Sequence, residues 1–507
     1  MKNLQNVSLK IMGLFLTLTT LLSVFSCRVT PMDTPQYDTD IVALTDNNML
    51  LKLNASDPSQ ITKRIMIQGL ATAEKILAID FRPATGQLYG VSSASRLYVI
   101  QPDSGTARAI GTAAFTPALN GSIVSLDFNP TVDRIRLVTN MGQNLRLNPE
   151  TGAVAAVDGA LNPGTPSISE VAYTNNMAGA TTTTLFDIDV TTDKLYIQNP
   201  PNNGTLVEVG DLGVNAEGAA GFDITDNNLA YTALRVGTRS RLYVVNLTTG
   251  RVLNVGNSDF GSDNIIGLTV PTTPVAYAVD GMSNLLIFNP FDPKPISKPI
   301  TGLGSGETIL GLDMRPANGQ LYALGSSSRL YTLNMSSGAA TAVGTAAFTP
   351  ALSGTSFGFD FNPTVDRIRI VSNTGQNLRA HPETGVIAAV DGAINPSGST
   401  ITAAAYTNNF AGATSTTLYV IDAQNQRLFI QNPPNNGTLV NVGGSFDKRF
   451  AGENGFDISS KTNRAFVMLN NEGDMRLYNL NLTTGVLDNG KVFSSTAVSG
   501  FALGLGF

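Results

Sequence analysis

The sequence predicts an all-β fold assembled from ten copies of a small four-stranded sheet. Three observations predict it: long segments repeat at a fixed offset, polar turns recur at a short and regular spacing, and the runs between the turns are short and apolar. Of the 507 residues, 42% are hydrophobic and only 14% are charged. A chain of this composition can bury a large core, and it is neither a disordered acidic chain nor a long helical coil.

The charge balance and the rare residues exclude several classes of function. There are 32 Lys and Arg against 38 Asp and Glu, a net charge of -6, so we predict no nucleic-acid partner. A single Cys excludes an internal disulfide and a Cys-based zinc site, and a single His excludes a site built from several histidines. We therefore predict no metal and no cofactor.

The N-terminal residues 1–26 have the layout of a secretory signal peptide. Lys2 and Lys10 flank the start of a short apolar run at 11–25, which is too short to span a membrane comfortably. Cys27, the only cysteine, follows the letters VFS and resembles the acylated cysteine of a bacterial lipoprotein. The alternative is an ordinary signal peptide that contains a cysteine.

We predict that Cys27 carries acyl chains and that residues 27–40 form a tether rich in Pro and Asp. Each buried CH2 group contributes about 0.8 kcal/mol, so several chains on one cysteine anchor a protein stably. Arg28 follows the cysteine, where lipoproteins retained in the inner membrane usually have Asp. The resemblance therefore implies an outer-membrane lipoprotein of a bacterial cell envelope, on its periplasmic or surface face.

Self-similarity organises the rest of the chain. The segment ILAIDFRPATGQLY at 76–89 returns as ILGLDMRPANGQLY at 309–322, and FNPTVDRIR at 128–136 returns unchanged at 361–369. Each copy lies 233 residues after its counterpart. The chain is therefore a tandem duplication.

Within the two halves, taken as 41–270 and 275–507, ten polar turns begin 43 to 51 residues apart. Most begin with Asn, whose side chain can bond the turn backbone, and end with Gly, which supplies a positive φ. Four short antiparallel strands in every unit of this length are typical of a β-propeller blade. One blade has two apolar faces, which only neighbouring blades can cover. In the second unit the predicted strands are 76–81, 88–91, 96–100 and 107–110.

The first unit contains only three predicted strands, so its innermost strand must come from elsewhere in the chain. The candidates are residues 265–270 and 501–507, either of which would close a ring and hide a strand edge. Two architectures fit: two five-bladed rings, which we favour, or one ring of ten blades. The link at 271–274 reaches only about 14 Å, which leaves little room between two separate rings and favours one ring of ten blades. Rings of about four to eight blades are usual, however, which favours two rings of five.

The motifs IDFRPATGQLY at 79–89, FNPTVDRIR at 128–136 and NPETG at 148–152, with their second copies, resemble those of a bacterial family of exported domains of unknown function. The resemblance covers both halves and implies propeller-like repeats. Members with a single half imply closure in five blades. The family has no established activity, so the resemblance implies no catalytic residue.

Six units place an Asp at the end of the first strand, which lines the central channel of a propeller. A ring of carboxylates could hold a cation, but repetition in six units favours a structural role in which each Asp accepts backbone N–H groups. These residues are Asp80, Asp127, Asp223, Asp313, Asp360 and Asp457.

The third and eighth units hold the densest set of basic residues. Arginine pairs with carboxylates in a planar fork, so these side chains could bind an acidic sugar or a carboxylate of a protein partner, or could instead tether strands through internal Asp–Arg pairs. The candidate binding residues are Arg134, Arg136, Arg146, Arg367, Arg369 and Arg379.

We predict a lipid-anchored propeller that serves as a binding or scaffold protein, with a glycan or a protein as its ligand, and carries no catalytic residue. The alternative is a glycan hydrolase that uses carboxylates at the channel mouth. Glu217 and Glu453 are the only acids we single out as possible proton donors.

Overall fold

A computed structural model describes residues 37–218, 221–450, 454–471, 473–494 and 497–507. These residues form forty strands and two short 3-10 helices, Pro201–Asn203 and Pro434–Asn436, and the strands form ten four-stranded antiparallel sheets. The all-β prediction is confirmed. None of the helices in this part of the chain is long and apolar enough to cross a membrane. The predicted signal peptide and Cys27 lie outside the described residues.

Five sheets, called blades 1 to 5, come from the first half of the chain. Each is given from its innermost to its outermost strand. Blade 1 is Ile265–Thr269, Asp40–Thr45, Met49–Asn54 and Lys63–Met66; blade 2 is Ile76–Phe81, Leu88–Ser92, Leu97–Ile100 and Ala107–Ile110; blade 3 is Val124–Asn129, Arg134–Thr139, Asn144–Leu147 and Val154–Val157; blade 4 is Ile168–Tyr173, Leu185–Asp189, Lys194–Gln198 and Leu206–Asp211; blade 5 is Gly221–Ile224, Ala230–Val236, Arg239–Val245 and Val252–Asp259.

Blades 6 to 10 come from the second half in the same arrangement. Blade 6 is Val498–Leu503, Ala276–Asp280, Asn284–Asn289 and Asp292–Pro299; blade 7 is Ile309–Arg315, Gln320–Gly325, Arg329–Leu333 and Ala340–Val343; blade 8 is Phe357–Asn362, Arg367–Ser372, Asn377–Ala380 and Ile387–Val390; blade 9 is Ile401–Tyr406, Leu418–Asp422, Arg427–Gln431 and Leu439–Val442; blade 10 is Asn454–Ile458, Ala465–Asn471, Asp474–Leu480 and Lys491–Ser494.

The innermost strands close two separate rings. The inner strand of each blade packs against those of the preceding and following blades, with blade 1 between blades 2 and 5, and blade 6 between blades 7 and 10. The protein is therefore two five-bladed propellers, as favoured, and the ten-bladed alternative is wrong. Residues 39–507 nevertheless form one compact unit, because the short link at 271–274 leaves the rings packed directly on each other.

Each ring is closed by the last strand of its own half. Ile265–Thr269 pairs with Asp40–Thr45, with Ala43 opposite Leu268, so the first of the two proposed donors completes blade 1. Val498–Leu503 pairs with Ala276–Asp280 and completes blade 6. Tying the last strand to the first removes the two edges that an open array would expose.

The core consists of apolar side chains held between neighbouring blades. Tyr89 of blade 2 meets Phe128 of blade 3 edge to face, with ring centroids 5.1 Å apart. In the second ring, Tyr322 and Phe361 repeat this contact at 5.1 Å. All four side chains are buried. The same aromatic pair thus fixes the spacing of two blades in both rings.

Close approach of the inner strands requires glycine at several positions, of which Gly221, Gly358 and Gly455 are examples. A Cβ atom on Gly221 would lie 2.5 Å from the backbone nitrogen of Leu268, one on Gly358 would lie 2.6 Å from the Cβ of Ala404, and one on Gly455 would lie 2.3 Å from the Cβ of Phe501. Real Cβ atoms do not approach other atoms this closely, so a side chain here would push two blades apart at the channel.

We expect Gly221→Ala to lower the free energy of unfolding by about 2 kcal/mol, because the added methyl overpacks the contact between blades 5 and 1. Gly281→Ala is the matched control, since its Cβ would meet nothing within 4 Å, and it should change stability by less than about 0.5 kcal/mol. Urea denaturation of both variants measures the difference. Equal stabilities would contradict the close-packed channel.

Candidate functional site

The six predicted aspartates are gathered into two triads, one in each ring. Asp80, Asp127 and Asp223 have carboxylate oxygens within 4.8 Å of one another, and the same holds for Asp313, Asp360 and Asp457. All six side chains are at most 1% exposed. Oxygens at this spacing could all ligate one cation, because calcium–oxygen distances are about 2.4 Å.

Backbone hydrogen bonds account for the position of each carboxylate. Asp80 accepts from the N–H of the next residue, Phe81, at 2.7 Å and from the N–H of Phe128 on blade 3 at 2.9 Å. Asp313 makes the same two contacts, with Met314 at 2.7 Å and Phe361 at 2.6 Å. Each of these aspartates therefore joins the inner strands of two neighbouring blades, which is the structural role that the repetition favoured.

Asp223 and Asp457 connect the last blade of each ring to its closing strand. Asp223 accepts from the N–H of Val270 at 2.6 Å, and Asp457 accepts from the N–H of Leu503 at 2.6 Å. These bonds hold the C-terminal end of each half at the channel. The triads thus reinforce ring closure from the inside.

Burial without a positive partner favours the protonated form of these carboxyls. Burial raises the pKa of Asp223 to about 7 and that of Asp457 to about 7. Burial, followed by repulsion from Asp223, raises the pKa of Asp80 well above its usual value. In the second ring, burial and repulsion from Asp457 raise the pKa of Asp313 in the same way.

The first triad contains a hydroxyl that the second lacks. Thr269 Oγ1 lies 2.8 Å from Asp80 Oδ1 and 3.0 Å from Asp223 Oδ2. A hydroxyl donates one proton, so both contacts are hydrogen bonds only when one of the two carboxyls is protonated and donates in return. The corresponding residue of the second ring is Ala502.

Two of the predicted binding arginines in each ring are neutralised internally. Arg136 donates to Asp158 at 2.6 Å and to Asn202 at 2.8 Å, and Arg146 grips both oxygens of Asp158 at 2.8 Å. Burial alone would raise the pKa of Asp158, but its hydrogen bonds to Arg146 and Arg136 hold that pKa below its usual value.

The second ring repeats this arrangement. Arg369 donates to Asp391 at 2.6 Å, and Arg379 grips both oxygens of Asp391 at 2.8 Å. The internal Asp–Arg pairing considered as the alternative thus holds for four of the six arginines. Its acids, Asp158 and Asp391, carried no signal in the sequence, because they lie after the outermost strand.

Arg134 and Arg367 are placed differently. Arg134 donates to the carbonyl of Asp133 at 2.8 Å, and Arg367 donates to the carbonyl of Asp366 at 2.8 Å. Neither has a carboxylate within ion-pair distance among the described residues. Both residues are half-buried, so each is partly accessible to solvent.

Each of these arginines ends a rigid turn, and we call residues 129–134 and 362–367 the arginine turns. Asp133 has a φ of 51° and Asp366 a φ of 49°. In the first turn, Asn129 Oδ1 accepts from the N–H and the hydroxyl of Thr131 at 3.0 and 2.7 Å, and Arg82 Nε donates to Asp133 at 2.8 Å. Arg315 holds Asp366 at 2.9 Å in the second turn.

The sequence did not single out Arg82 and Arg315, which fix the arginine turns, although both stand in the repeated motif. Arg82 also donates to Glu150 at 3.0 Å and to the carbonyl of Gly319 in the other ring at 3.3 Å. With these contacts the side chain of Arg82 is fully buried, whereas Arg315 is 7% exposed.

Two buried acids belong to the first ring alone. Glu170 accepts from the Ser125 hydroxyl at 2.8 Å, and Asp187 has two carboxyl oxygens without a hydrogen-bonding partner. Burial raises the pKa of both well above the usual value. Their counterparts 233 residues later are Ala403 and Val420, so comparison of the halves would have found them. Because both are enclosed between blades, no substrate can reach them.

The acids considered as proton donors do not form a pair in the described residues. Glu217 is exposed, and its backbone N–H donates to the carbonyl of Arg235 at 2.9 Å. Glu453 lies outside the described residues. Glycoside hydrolysis needs two carboxyl groups on either side of one bond, and of these two acids the structure describes Glu217 alone.

Among known proteins, one family matches the chain, and the many solved structures that match it include two distant ones. The family described as "Domain of unknown function (DUF4394)" matches residues 49–269 and residues 284–502. PorZ, an essential bacterial surface component of the type-IX secretion system of Porphyromonas gingivalis, is 12% identical with a TM-score of 0.26. The alignment covers 91% of this chain and 58% of PorZ.

The second structure is dihydro-heme d1 dehydrogenase NirN in complex with DHE. It is 9% identical with a TM-score of 0.23, and the alignment covers 94% of this chain and 77% of NirN. No curated protein matches the chain. Structural similarity this low carries no functional argument.

The raised pKa values of the triads predict that the protein loses stability as the pH rises. A carboxyl with a folded-state pKa of about 7 and an ordinary value when unfolded contributes its full stability below about pH 4, and loses it as the pH passes 7. Asp457→Asn should reduce the slope of stability against pH by up to about 1.4 kcal/mol per unit.

Urea denaturation between pH 4.5 and pH 8 measures this slope. Asp57→Asn is the control for the general effect of replacing Asp by Asn, because Asp57 lies in an exposed turn outside the triads. Stability that rises with pH over this range, or an equal slope in the Asp457→Asn variant, would show that the triad carboxyls are ionised.

Proposed function

We propose that this chain, which belongs to the DUF4394 family of domains of unknown function, is a non-enzymatic binding protein carried on a lipid anchor in the bacterial cell envelope. The observation that supports it most directly is the contrast among the six arginines. Four are neutralised by Asp158 and Asp391 and stabilise blades. Arg134 and Arg367 donate to backbone carbonyls.

The arginine turns combine a guanidinium with an exposed apolar side chain. Val132 is 46% exposed beside Arg134, and Val365 is 53% exposed beside Arg367. Because Arg82 and Arg315 already fix these turns, a ligand would bind them without ordering the backbone first. A carboxylate on a sugar ring suits both groups, since arginine grips the carboxylate and valine contacts the apolar ring face.

The duplication supports a polymeric acidic glycan as the ligand. The two turns are copies of one sequence in one compact unit, so a chain of uronic-acid sugars that reaches both would gain affinity from the second contact without any new kind of site. The glycan-hydrolase alternative has no supporting observation in the described residues.

On an array of acidic and neutral glycans, we expect the full-length protein to bind those that bear uronic acids. Arg134→Gln combined with Arg367→Gln should abolish this binding, since the guanidinium supplies the charged hydrogen bonds. Arg235→Gln combined with Arg329→Gln is the control, because those arginines also donate to backbone carbonyls. Unchanged binding in the first double variant, or cleavage of a bound glycan, would overturn the proposal.

The lipid anchor is tested separately by cell fractionation. Cys27→Ala removes the acylated sulfur, so the variant should leave the membrane fraction and appear in the soluble fraction of the envelope. A serine-to-alanine change at Ser56, in an exposed turn, is the control and should leave the protein with the membrane. Membrane retention of the Cys27→Ala variant would contradict lipidation.

A further inference from the structure

A cavity of about 230 Å3 lies where the two rings meet, and we call it the junction cavity. Blade 1 and the end of the inner strand of blade 2 form one wall, with Val42, Leu53 and Phe81 all buried. The link between the rings forms a second wall, and residues of the second ring, including Lys461, form a third. The cavity therefore belongs to the tandem protein and not to either half.

The polar side of the junction cavity is basic. Lys52 and Lys461 both line it and are close enough to repel each other. Asp103 Oδ1 lies 2.6 Å from Lys52 Nζ and 3.8 Å from Lys63 Nζ, but neither Asp103 nor Lys63 lines the cavity. Asp40, the acid among the described lining residues, accepts from Asn54 at 3.0 Å. Of the described lining side chains, two carry an ammonium group and one carries a carboxylate, so the charge of the lining side chains is positive.

An unpaired hydroxyl stands in the linker wall. Thr272 Oγ1 is buried and has no hydrogen-bonding partner, which leaves a donor and an acceptor unsatisfied beside the apolar wall. The neighbouring Thr273 differs, because its hydroxyl donates to Asp226 at 2.7 Å. A buried hydroxyl without a partner costs stability, so a ligand that accepts its hydrogen bond would recover that cost.

A second cavity on the other side of the same link provides the comparison. It measures about 320 Å3 and is lined by Thr273, Asp226, Asp292 and Lys294. Lys294 is paired with Asp292 at 2.8 Å, so this cavity has an acidic balance. The two sides of one link therefore present opposite charge, and only Thr272 on the basic side lacks a partner.

We infer that the junction cavity binds a small organic anion, with a carboxylate held by Lys461, Lys52 and the Thr272 hydroxyl and an apolar body lying against Val42, Leu53 and Phe81. An apolar cavity of about 150 Å3 accepts benzene, so the observed volume accommodates one aromatic ring or a short acyl chain with its carboxylate. The charge-assisted hydrogen bonds fix the orientation of the ligand.

This inference does not rest on the glycan-binding role proposed above. The arginine turns involve blades 3 and 8, whereas the junction cavity is built from blades 1 and 2, the link and the second ring. Failure of either experiment leaves the other proposal unaffected, because no residue is shared between the two sites.

Isothermal titration of the full-length protein with three matched probes tests the inference. The probes are 3-phenylpropionate, its neutral amide and the cationic 3-phenylpropylamine. We expect the carboxylate to bind with a Kd near or below about 1 mM, the amide to bind at least about tenfold more weakly, and the amine to show no saturable binding.

Two variants should weaken the binding of phenylpropionate without unfolding the protein. Lys461→Met removes an exposed ammonium and should weaken binding about tenfold. Thr272→Val replaces the hydroxyl by a methyl of similar size and should weaken the binding of phenylpropionate severalfold. In the Lys461→Met variant, the affinity for the amide should fall less than the affinity for the carboxylate.

The control variants are Thr273→Val, which alters the adjacent threonine on the acidic side, and Lys194→Met, which removes a lysine paired with Glu208 on blade 4. Both should bind phenylpropionate within about twofold of the parent protein. Absence of saturable binding, equal affinity for the carboxylate and the amide, or equal losses in the control variants would each overturn the inference.

Discussion

Every blade of this protein is apolar on both faces, and this constraint determines the architecture. A sheet such as blade 2 leaves Tyr89 on one side and Tyr98 on the other, and both are buried only because blades 3 and 1 cover them. No blade can be stable alone, so the array must continue until its ends meet. The closing strands Ile265–Thr269 and Val498–Leu503 satisfy this requirement within each half.

The sequence was sufficient for features that repeat. The number of blades, the positions of most strands and the missing strand of blade 1 followed from the offset of 233 residues and from the spacing of the turns. The hydrogen bonds within the turns could also be predicted from the sequence. His381 stands where other turns have Asn, and its Nδ1 accepts from the N–H of Glu383 at 3.1 Å. Asn148 accepts from the N–H of Glu150 in the same way, at 2.8 Å. These features depend on contacts within a blade.

Contacts between segments that are distant in the chain could not be predicted from the sequence. Asp158 neutralises Arg136 and Arg146, yet the sequence around it has no pattern that predicts this pairing. Arg82 reaches Gly319, 237 residues away, and no local pattern encodes that meeting of two rings. The junction cavity has no counterpart inside either repeat, because Lys461, Thr272 and Val42 meet only where the halves join. Repetition reveals architecture, whereas the features that occur once arise from how the copies assemble.

The position of the strand Asp40–Thr45 within its sheet has a mechanical consequence under the proposed N-terminal anchor. It is not an edge strand: Ile265–Thr269 bonds it on one side and Met49–Asn54 on the other. Tension applied at Asp40 is therefore shared by two ladders that resist in shear, and it cannot unzip the sheet one bond at a time. If the chain is anchored as proposed, drag from the surrounding fluid would be transmitted through this strand to a whole ring.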